Sequence, residues 1–418
     1  MSTPEIDIDD RVAVPKEATT PQQLMESLLT FGAVPAPVVS LYLDARVNEH
    51  GKRNFMPFVR KQLSERVKSY PLQSEERASI EEDFVRIMRY LEDGVRDPTQ
   101  GVAVFACSAL EDYFQVGQFE AHFERNRLLV SDRPHVYPLA RLIEQYRPYA
   151  AVLADTNRAQ ILVFAAGHAV EQDDIENVKT KHTSVGGWSQ ARYQRHEENY
   201  HLQHAKEVVD ALERTVREEN IEQVILAGDE AVVIPILKEQ MSKELQEKVI
   251  DVLSLGIDTP EHELLEETLT AFRRHDSLTD MEKVERLLGE FRGDNLAVAG
   301  VPDTLAALTN GQVEEMLIVA APDGLKFDEE EVRKVLEIYN TDGEMPQTLD
   351  QRAVADELIK RANQMSAAQV TFIEDSTRLE QLGGVGALLR YRISEENAAP
   401  YEQGDAVPRS RAISKTTA

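Results

Sequence analysis

Strand-like apolar runs alternate with helix-patterned segments along almost the whole chain, and this alternation is the feature that most restricts its fold. The runs 38–43 and 101–106 predict strands, and Ile80, Phe84 and Ile87 recur between them at helical spacing. Such alternation is typical of sheets covered by helices and predicts an α/β (α+β) fold class. A chain of 418 residues is long enough for about three such domains.

Changes in composition divide the chain into three predicted domains between two tails. Both ends are rich in Pro, Ser, Thr and Glu and lack apolar periodicity, so we expect them to be flexible. Pro134, Pro138 and Pro148 bracket a short amphipathic helix near the end of the first domain. The predicted units are a flexible tail 1–20, an N-terminal α/β domain 21–146, a middle domain 147–278, a C-terminal α/β domain 279–395 and a flexible tail 396–418.

The second half of the chain gives the most detailed local predictions. The turn 155–158 joins two strand-like runs and predicts a hairpin, which a long loop and a helix over 192–219 follow. Apolar spacing then predicts one helix through Leu264 and Leu269 and a separate helix over 281–291.

Cysteine content and hydropathy bear on the compartment. Cys107 is the only cysteine, which excludes an intrachain disulfide and a cysteine-based zinc cluster. The chain has no run of 18 uncharged apolar residues, and its first residues are acidic rather than basic and apolar. We therefore expect a cytoplasmic protein that does not cross a membrane.

The charge balance limits how this chain could bind nucleic acid. Its 74 acidic and 46 basic side chains give a net charge of -28, which argues against a protein that coats DNA or RNA with its whole surface. RNA could still bind where basic residues are gathered locally, because affinity depends on the charges that meet phosphates.

One such basic segment spans residues 179–196, with four Lys or Arg, two His and no acidic residue. Gly186 and Gly187 free the backbone for close approach to a partner. Arg192 and Arg195 are three residues apart and so share one face of the following helix. The segment is suited to contacts with phosphates, although a solvated surface loop without a ligand is the alternative.

The loop 184–195 also resembles a known family. Residues 186–195, Gly-Gly-Trp-Ser-Gln-Ala-Arg-Tyr-Gln-Arg, resemble the Gly-Gly-Gln-Ser-x-x-Arg-Phe-x-Arg loop of the class-I peptide-chain release factors of archaea and eukaryotes. Further similarity lies at 224–228, 311–318 and 383–391. The chain is similar to bacterial relatives of this release factor/Pelota-like family over about residues 35–392, with three domains in the release-factor-like arrangement.

In that family the middle-domain loop reaches the peptidyl-transferase centre, the first domain occupies the decoding site, and the third contacts translational GTPases or other factors. The resemblance therefore implies a ribosome-binding protein that contacts rRNA and peptidyl-tRNA, with elongation factor Tu or another translational GTPase as partner. We expect no cofactor and no metal. The residues expected to bind RNA are Lys179, Lys181, Gly186, Gly187, Trp188, Ser189, Arg192, Tyr193 and Arg195.

Two departures from the family pattern narrow the expected activity. The codon-reading motif Asn-Ile-Lys-Ser is missing, since Lys68-Ser69 matches only its last two residues. Trp188 stands where the family has its catalytic glutamine, and Gln190 lies two positions later. These features predict a non-decoding factor that occupies the ribosomal A site in hibernation or rescue. The alternatives are peptidyl-tRNA ester hydrolysis, with Gln190 as the catalytic candidate, and a tRNA nuclease.

Two other groups of residues have plainer interpretations. His196 and His201 are five residues apart and about 140° apart on a helix, so they cannot chelate one ion, and His201 with His204 supplies too few ligands for a metal. We expect these histidines to face RNA or solvent. The motifs 300–303 and 383–386 lack the order of nucleotide-binding loops and are interpreted as turns.

Overall fold

The computed structural model describes residues 16–18, 20–110, 113–165, 168–176, 190–339 and 348–392, with 16–18, 168–176 and 190–199 described by their backbone alone. They form three mixed sheets covered by helices. The predicted fold class is therefore confirmed. Among these residues, no helix is both long and apolar enough to span a membrane.

The first sheet has five strands in the order β1-β4-β3-β2-β5, antiparallel except for the pair of β1 and β4. Part of the predicted tail 1–20 belongs to it, because residues 16–18 add an edge strand beside β4. The elements of this part are β1 (Lys16–Ala18), α1 (Pro21–Leu29), β2 (Val38–Asp44), α2 (Met56–Ser69), α3 (Glu75–Asp93), β3 (Gly101–Cys107), β4 (Tyr113–Phe119), β5 (Arg127–Ser131) and α4 (Tyr137–Gln145).

Both faces of the first sheet are covered, and β3 shows why its sequence is apolar throughout. Side chains on a strand alternate between the two faces. Val102 and Val104 pack with α2 and α3, whereas Ala103 and Phe105 pack on the opposite face with α1 and α4. A strand buried on both sides has no position for a solvated side chain, and all seven residues of β3 are buried.

The second sheet has the order β10-β9-β6-β7-β8. Its predicted hairpin is confirmed: β6 and β7 pair antiparallel, and the Asp155 carboxylate accepts the backbone N–H groups of Asn157 and Arg158 at 2.6 Å. The elements are β6 (Tyr149–Ala154), β7 (Arg158–Ala165), β8 (His168–Glu176), α5 (Gln190–Glu218), β9 (Val224–Gly228), α6 (Val233–Gln240), α7 (Lys243–Lys248), β10 (Val249–Leu253) and α8 (Glu261–Arg292).

The prediction of a long loop after β7 is wrong for the first part of that segment. Residues 168–176 form β8, which pairs antiparallel with β7 at the edge of the sheet. This stretch carries four acidic residues and little apolar alternation, so its pattern does not indicate a strand. Charged residues are common on edge strands, where they discourage pairing with other chains.

The third sheet has four strands in the order β11-β14-β12-β13. Strand β14 is antiparallel to β11 and β12, and β13 runs parallel to β12. The remaining elements are β11 (Ala297–Ala299), α9 (Val301–Thr309), β12 (Val313–Val319), a 3-10 turn (Pro322–Gly324), α10 (Glu329–Ile338), α11 (Gln351–Arg361) with a π-turn (Ala362–Ser366), β13 (Gln369–Ile373), α12 (Thr377–Glu380) and β14 (Val385–Leu389).

Helix α8 joins the second and third sheets without a break, so the prediction of two separate helices is wrong. Leu264 and Phe272 pack in the core of the second sheet, and Val284 and Leu287 pack in that of the third. No Gly or Pro lies between residues 261 and 288, so nothing in the sequence ends the helix there. The predicted domain boundary at 278/279 falls inside this helix.

The first and third sheets share one hydrophobic core. Tyr42 and Phe105 of the first sheet, Leu139 of α4, and Met316 and Ile318 of β12 belong to the same buried cluster. A fully buried side chain of this size contributes about 1.5–3 kcal/mol relative to its exposed state. The first and third domains are therefore packed as a single unit, whereas the core facing α5 in the middle domain is separate.

Candidate functional site

The predicted RNA-binding segment, residues 179–196, follows β8, which ends at Glu176, and extends into α5, which begins at Gln190. Helix α5 begins two residues before the predicted position. Gln190, Arg192, Tyr193 and Arg195 lie in its first two turns, where the structure describes the backbone alone. The other predicted site residues lie outside the described residues: Lys179, Lys181, Gly186, Gly187, Trp188 and Ser189.

The C-terminal part of α5 anchors the helix to the second sheet. Val208, Val209 and Leu212 are buried against the face of that sheet that carries Val152 and Leu226. Arg214 and Arg217 lie on its solvent-exposed side. The helix thus ties the basic segment to the middle domain through apolar contacts well beyond the segment itself.

His204 is part of this anchor, so the expectation that it faces RNA or solvent is wrong. Its exposed fraction is 3%, and it lines a small cavity with Ala154, Thr156 and Val233. Burial lowers the pKa of His204, which favours the neutral imidazole. Within the described residues no cluster of His, Cys, Asp and Glu has a geometry that could hold a metal ion.

Gly300, Gly383 and Gly384 of the two glycine motifs lie in turns, whereas residues 301–303 begin α9 and residues 385–386 belong to β14. Gly311 has φ +68° and joins α9 to β12, which matches the helix-to-strand corner that the resemblance implies. Gly384 has φ +82°, and a Cβ added there would lie 2.6 Å from the carbonyl oxygen of Gly324. Only glycine fits a position with both a positive φ and so close a backbone neighbour.

A buried polar cluster that the sequence does not indicate connects the first and third domains. Nδ1 of His135 lies 2.5 Å from Oδ2 of Asp356 on α11. Oδ1 of Asp356 accepts the backbone N–H groups of Val136 and Tyr137 at 2.9 and 2.8 Å. Asp356 therefore caps the N-terminus of α4 from another domain, a role usually filled by a neighbouring side chain.

Tyrosine hydroxyls extend this cluster. Tyr42 donates to the carbonyl oxygen of His135, and Tyr137 donates to that of Val319 on β12. Gln364 donates across the same joint to the carbonyl oxygen of Leu29 at 2.6 Å. The joint thus combines a continuous apolar core with satisfied polar contacts, which together fix one arrangement of the two domains.

Two family models match adjacent parts of the chain. The model of bacterial archaeo-eukaryotic release factor family 10 matches residues 134–273, and that of eRF1 domain 3 matches residues 278–393. The chain belongs to the release-factor-like family. The matches cover the middle and third domains, the parts in which the sequence resemblance is most specific.

Curated relatives of this release-factor-like chain include uncharacterised proteins from two strains of Mycobacterium tuberculosis, CDC 1551 / Oshkosh and H37Rv. Each is 26% identical over 272 residues, which cover 63% of this chain and 71% of the relative.

Three release-factor or Pelota-type proteins are among the solved structures to which this chain is similar. The archaeal translation termination factor aRF1 is 18% identical and covers 90% of this chain and 99% of its own, with a TM-score of 0.25. Dom34 of S. cerevisiae is 10% identical, covering 73% and 81%, with a TM-score of 0.39. Archaeal Pelota, from a model of the ribosome-bound protein with ABCE1, is 15% identical, covering 90% and 96%, with a TM-score of 0.40.

Proposed function

We propose that this protein is a non-decoding translation factor that binds the ribosomal A site in hibernation or rescue. Its loop at 186–190 would lie near the peptidyl-transferase centre. The observation that carries the proposal is the position of the basic segment 179–196, which lies within the region matched by the release-factor family model. The first domain lacks the Asn-Ile-Lys-Ser codon-reading motif, which favours occupancy of the A site without decoding.

The electrostatics of the chain support contact with rRNA through this one region. A net charge of -28 disfavours approach of most of the surface to phosphates. Arg192 and Arg195 lie on one helix, about 60° apart around its axis, so both can face the same strand of RNA. A local basic segment on an otherwise acidic protein would also orient it on the ribosome.

Charge reversal on α5 tests the proposal. We expect Arg192→Glu with Arg195→Glu to weaken co-sedimentation with 70S ribosomes at least tenfold at low salt, because two phosphate contacts become repulsive. The matched control is Arg214→Glu with Arg217→Glu, which has the same spacing and charge change on the solvent-exposed side of the C-terminal part of the same helix. This control should bind like the wild type. Equal loss in both double variants, or no binding by the wild type, would contradict the proposal.

Trp188 and Gln190 distinguish occupancy from hydrolysis. An indole can stack on an RNA base, which is worth about 1–3 kcal/mol, but it brings no amide to position a water. We expect Trp188→Ala to weaken ribosome binding about tenfold, while Gln190→Ala and the control Gln194→Ala change it little. Binding curves from co-sedimentation measure both effects. Binding of Trp188→Ala as tight as that of the wild type would contradict a stacking role for Trp188.

The alternative function is release-factor-like hydrolysis of peptidyl-tRNA, or cleavage of tRNA, on stalled ribosomes. It is favoured by Gln190, two positions after the family's glutamine. A positioning error of about 1 Å severely lowers the rate of such a reaction. The presence of a glutamine therefore favours hydrolysis, but its shift by two positions makes hydrolysis less favoured than occupancy. Peptide release that Gln190→Ala abolishes without loss of ribosome binding would establish hydrolysis instead of occupancy.

We also propose that the third domain binds elongation factor Tu or another translational GTPase, as the family resemblance implies. Removal of residues 279–395 is unsuitable as a test, because it cuts α8 and removes half of the core that the first domain shares. Pull-down with the intact protein, with the GTPase loaded with either GDP or a GTP analogue, is the direct measurement. Failure to retain the GTPase in both states would refute this partner.

A further inference from the structure

A cleft with a volume of about 300 Å³ opens at the joint between the first and third domains. One wall comes from α2 and β5, and the other from the 3-10 turn at 322–324 and the first turns of α11. Small-molecule sites are commonly clefts of about 300–1,000 Å³ at domain interfaces, lined by apolar surface with a few polar groups. This cleft has that size and that position.

Three arginines give the cleft its chemistry. Arg127 is the first residue of β5, Arg125 lies two residues before it, and Arg352 lies in the first turn of α11, so both domains contribute. No hydrogen bond or ion pair to these three guanidinium groups is found in the described parts of the chain. In a protein with 74 acidic residues, three cations without a carboxylate partner around one cleft are unusual.

The arginines are close enough to affect one another. Burial lowers the pKa of Arg127, and the charges of Arg125, Arg141 and Arg352 lower it further, against the opposite effect of Glu124. Arginine keeps its proton in proteins, so the crowding leaves a concentrated positive field instead of a neutral side chain. A bound anion would relieve this repulsion.

The two carboxylates that line the cleft differ in how they affect an anion. Asp356 is engaged by His135 and by the backbone N–H groups at the start of α4, which compensate its charge. Asp323 is exposed on the 3-10 turn and would weakly oppose an anion. The arginines therefore dominate the accessible charge.

The remaining lining suits a planar, polar group beside the anion. Phe58, Tyr137 and Pro138 present apolar surface, and Gln62 and Asn126 carry amides. Oδ1 of Asn126 accepts the backbone N–H of Asp44 at 2.8 Å, which orients the amide and leaves its NH₂ group to donate. Aromatic faces with oriented amides are the groups that bind a nucleobase.

We propose that this cleft binds a small phosphate-bearing ligand of mononucleotide size, with Arg125, Arg127 and Arg352 holding its phosphate. Guanidinium groups bind phosphate through paired, charge-assisted hydrogen bonds. The cleft is a separate site from the basic segment 179–196, and its occupancy does not depend on ribosome binding. A ligand held by both walls would link the first and third domains.

Isothermal titration of the intact protein at low salt, without ribosomes, tests the assignment. The probes are 5′-AMP, 5′-GMP, adenosine, inorganic phosphate and a 12-residue oligoribonucleotide. We expect a mononucleotide to bind with 1:1 stoichiometry and at least tenfold more tightly than inorganic phosphate, because the base adds contacts. Adenosine should bind at least tenfold more weakly than AMP, because it lacks the anion.

Variants locate the binding. Arg127→Gln and Arg352→Gln should each weaken nucleotide binding at least tenfold, since each removes charge-assisted hydrogen bonds. Arg352 is exposed, so its replacement keeps the test valid if Arg127→Gln fails to fold. Arg333→Gln is the matched control, an exposed arginine on α10 of the same domain, and should bind like the wild type. Asp323→Asn should strengthen binding a few-fold.

Several results would overturn the inference. They are no binding of either nucleotide, unchanged binding in Arg127→Gln and Arg352→Gln, and inorganic phosphate binding as tightly as AMP. Binding of the oligoribonucleotide alone would also overturn it and would identify the cleft as part of an RNA-binding surface.

Discussion

Replacing Asp356 with alanine should lower the free energy of unfolding of the joint between the first and third domains by about 3–5 kcal/mol. The carboxylate contacts the His135 ring and accepts two backbone N–H groups at the start of α4. Its removal leaves a buried imidazole and two buried donors unpaired. A buried group that loses its partner costs far more than a surface contact would contribute.

Hydrogen exchange of peptides from α4 and α11, together with urea unfolding, measures this effect. Glu337→Ala is the control, since it removes an exposed carboxylate from α10 of the same domain. It should leave both measurements within about 0.5 kcal/mol of the wild type. Similar stabilities for Asp356→Ala and the control would show that the interdomain cap contributes nothing.

His135 and Asp356 also make the stability of this joint depend on pH, and the sign of that dependence can be predicted. Burial favours the neutral form of His135, but the charge and hydrogen bond of Asp356 outweigh it, so its pKa is raised. A raised pKa in the folded state gives stability that is full below the unfolded value of about 6.5 and is lost as the pH rises through the folded value. Asp356→Ala should remove this dependence.

The second large effect is expected at Asp83, which is fully buried on α3. Within the described residues, no hydrogen bond of standard geometry reaches either carboxylate oxygen, and the nearby Ser108 hydroxyl donates to the carbonyl of Ser79. Burial raises the pKa of Asp83 to about 7, against the opposing influence of Ser108 and Arg86. Between about pH 4 and pH 7 the folded protein therefore holds a proton on Asp83 that the unfolded chain has lost.

The sign of the resulting pH dependence is opposite to that of a salt-bridged aspartate. Between pH 4 and 7 the folded state binds more protons, so stability falls as the pH rises. The ionised group costs about 4 kcal/mol above pH 7. The free energy of unfolding of Asp83→Asn, relative to that of the wild type, should then rise by about 2–3 kcal/mol between pH 5 and pH 8.

Urea unfolding of both proteins at pH 5 and pH 8 measures this difference. Glu76→Gln, an exposed carboxyl group in the first turn of the same helix, is the matched control and should follow the wild type. A gap between Asp83→Asn and the wild type that is the same at both pH values would rule out a proton on Asp83.

The fold was predictable where one segment determines its own structure. Apolar runs such as 101–106 and 150–154 are buried on both faces and form strands in any sheet that covers them. Gly94 ends α3 where the helical pattern stops. The continuity of α8 was not evident, because its two halves pack against different sheets and its apolar residues do not follow one stripe.

The polar sites were less predictable, because they join residues distant in sequence. Nothing near Val136 indicates that Asp356 caps α4, since the helix has no capping side chain of its own. Arg127 and Arg352 can be recognised as parts of one cleft only once the fold brings β5 and α11 together. The basic segment 179–196 is the opposite case, because its charge stands out from the acidic chain by composition alone.

The stiffness of helix α8 affects how the middle domain can move relative to the other two domains. With 32 residues it is about 48 Å long, and its two ends are held in different cores. Without a Pro or Gly in its central part, it has no built-in hinge. A bend of about 10° at one end would move the other by about 8 Å, so small distortions near the joint of the first and third domains become large displacements of the middle domain.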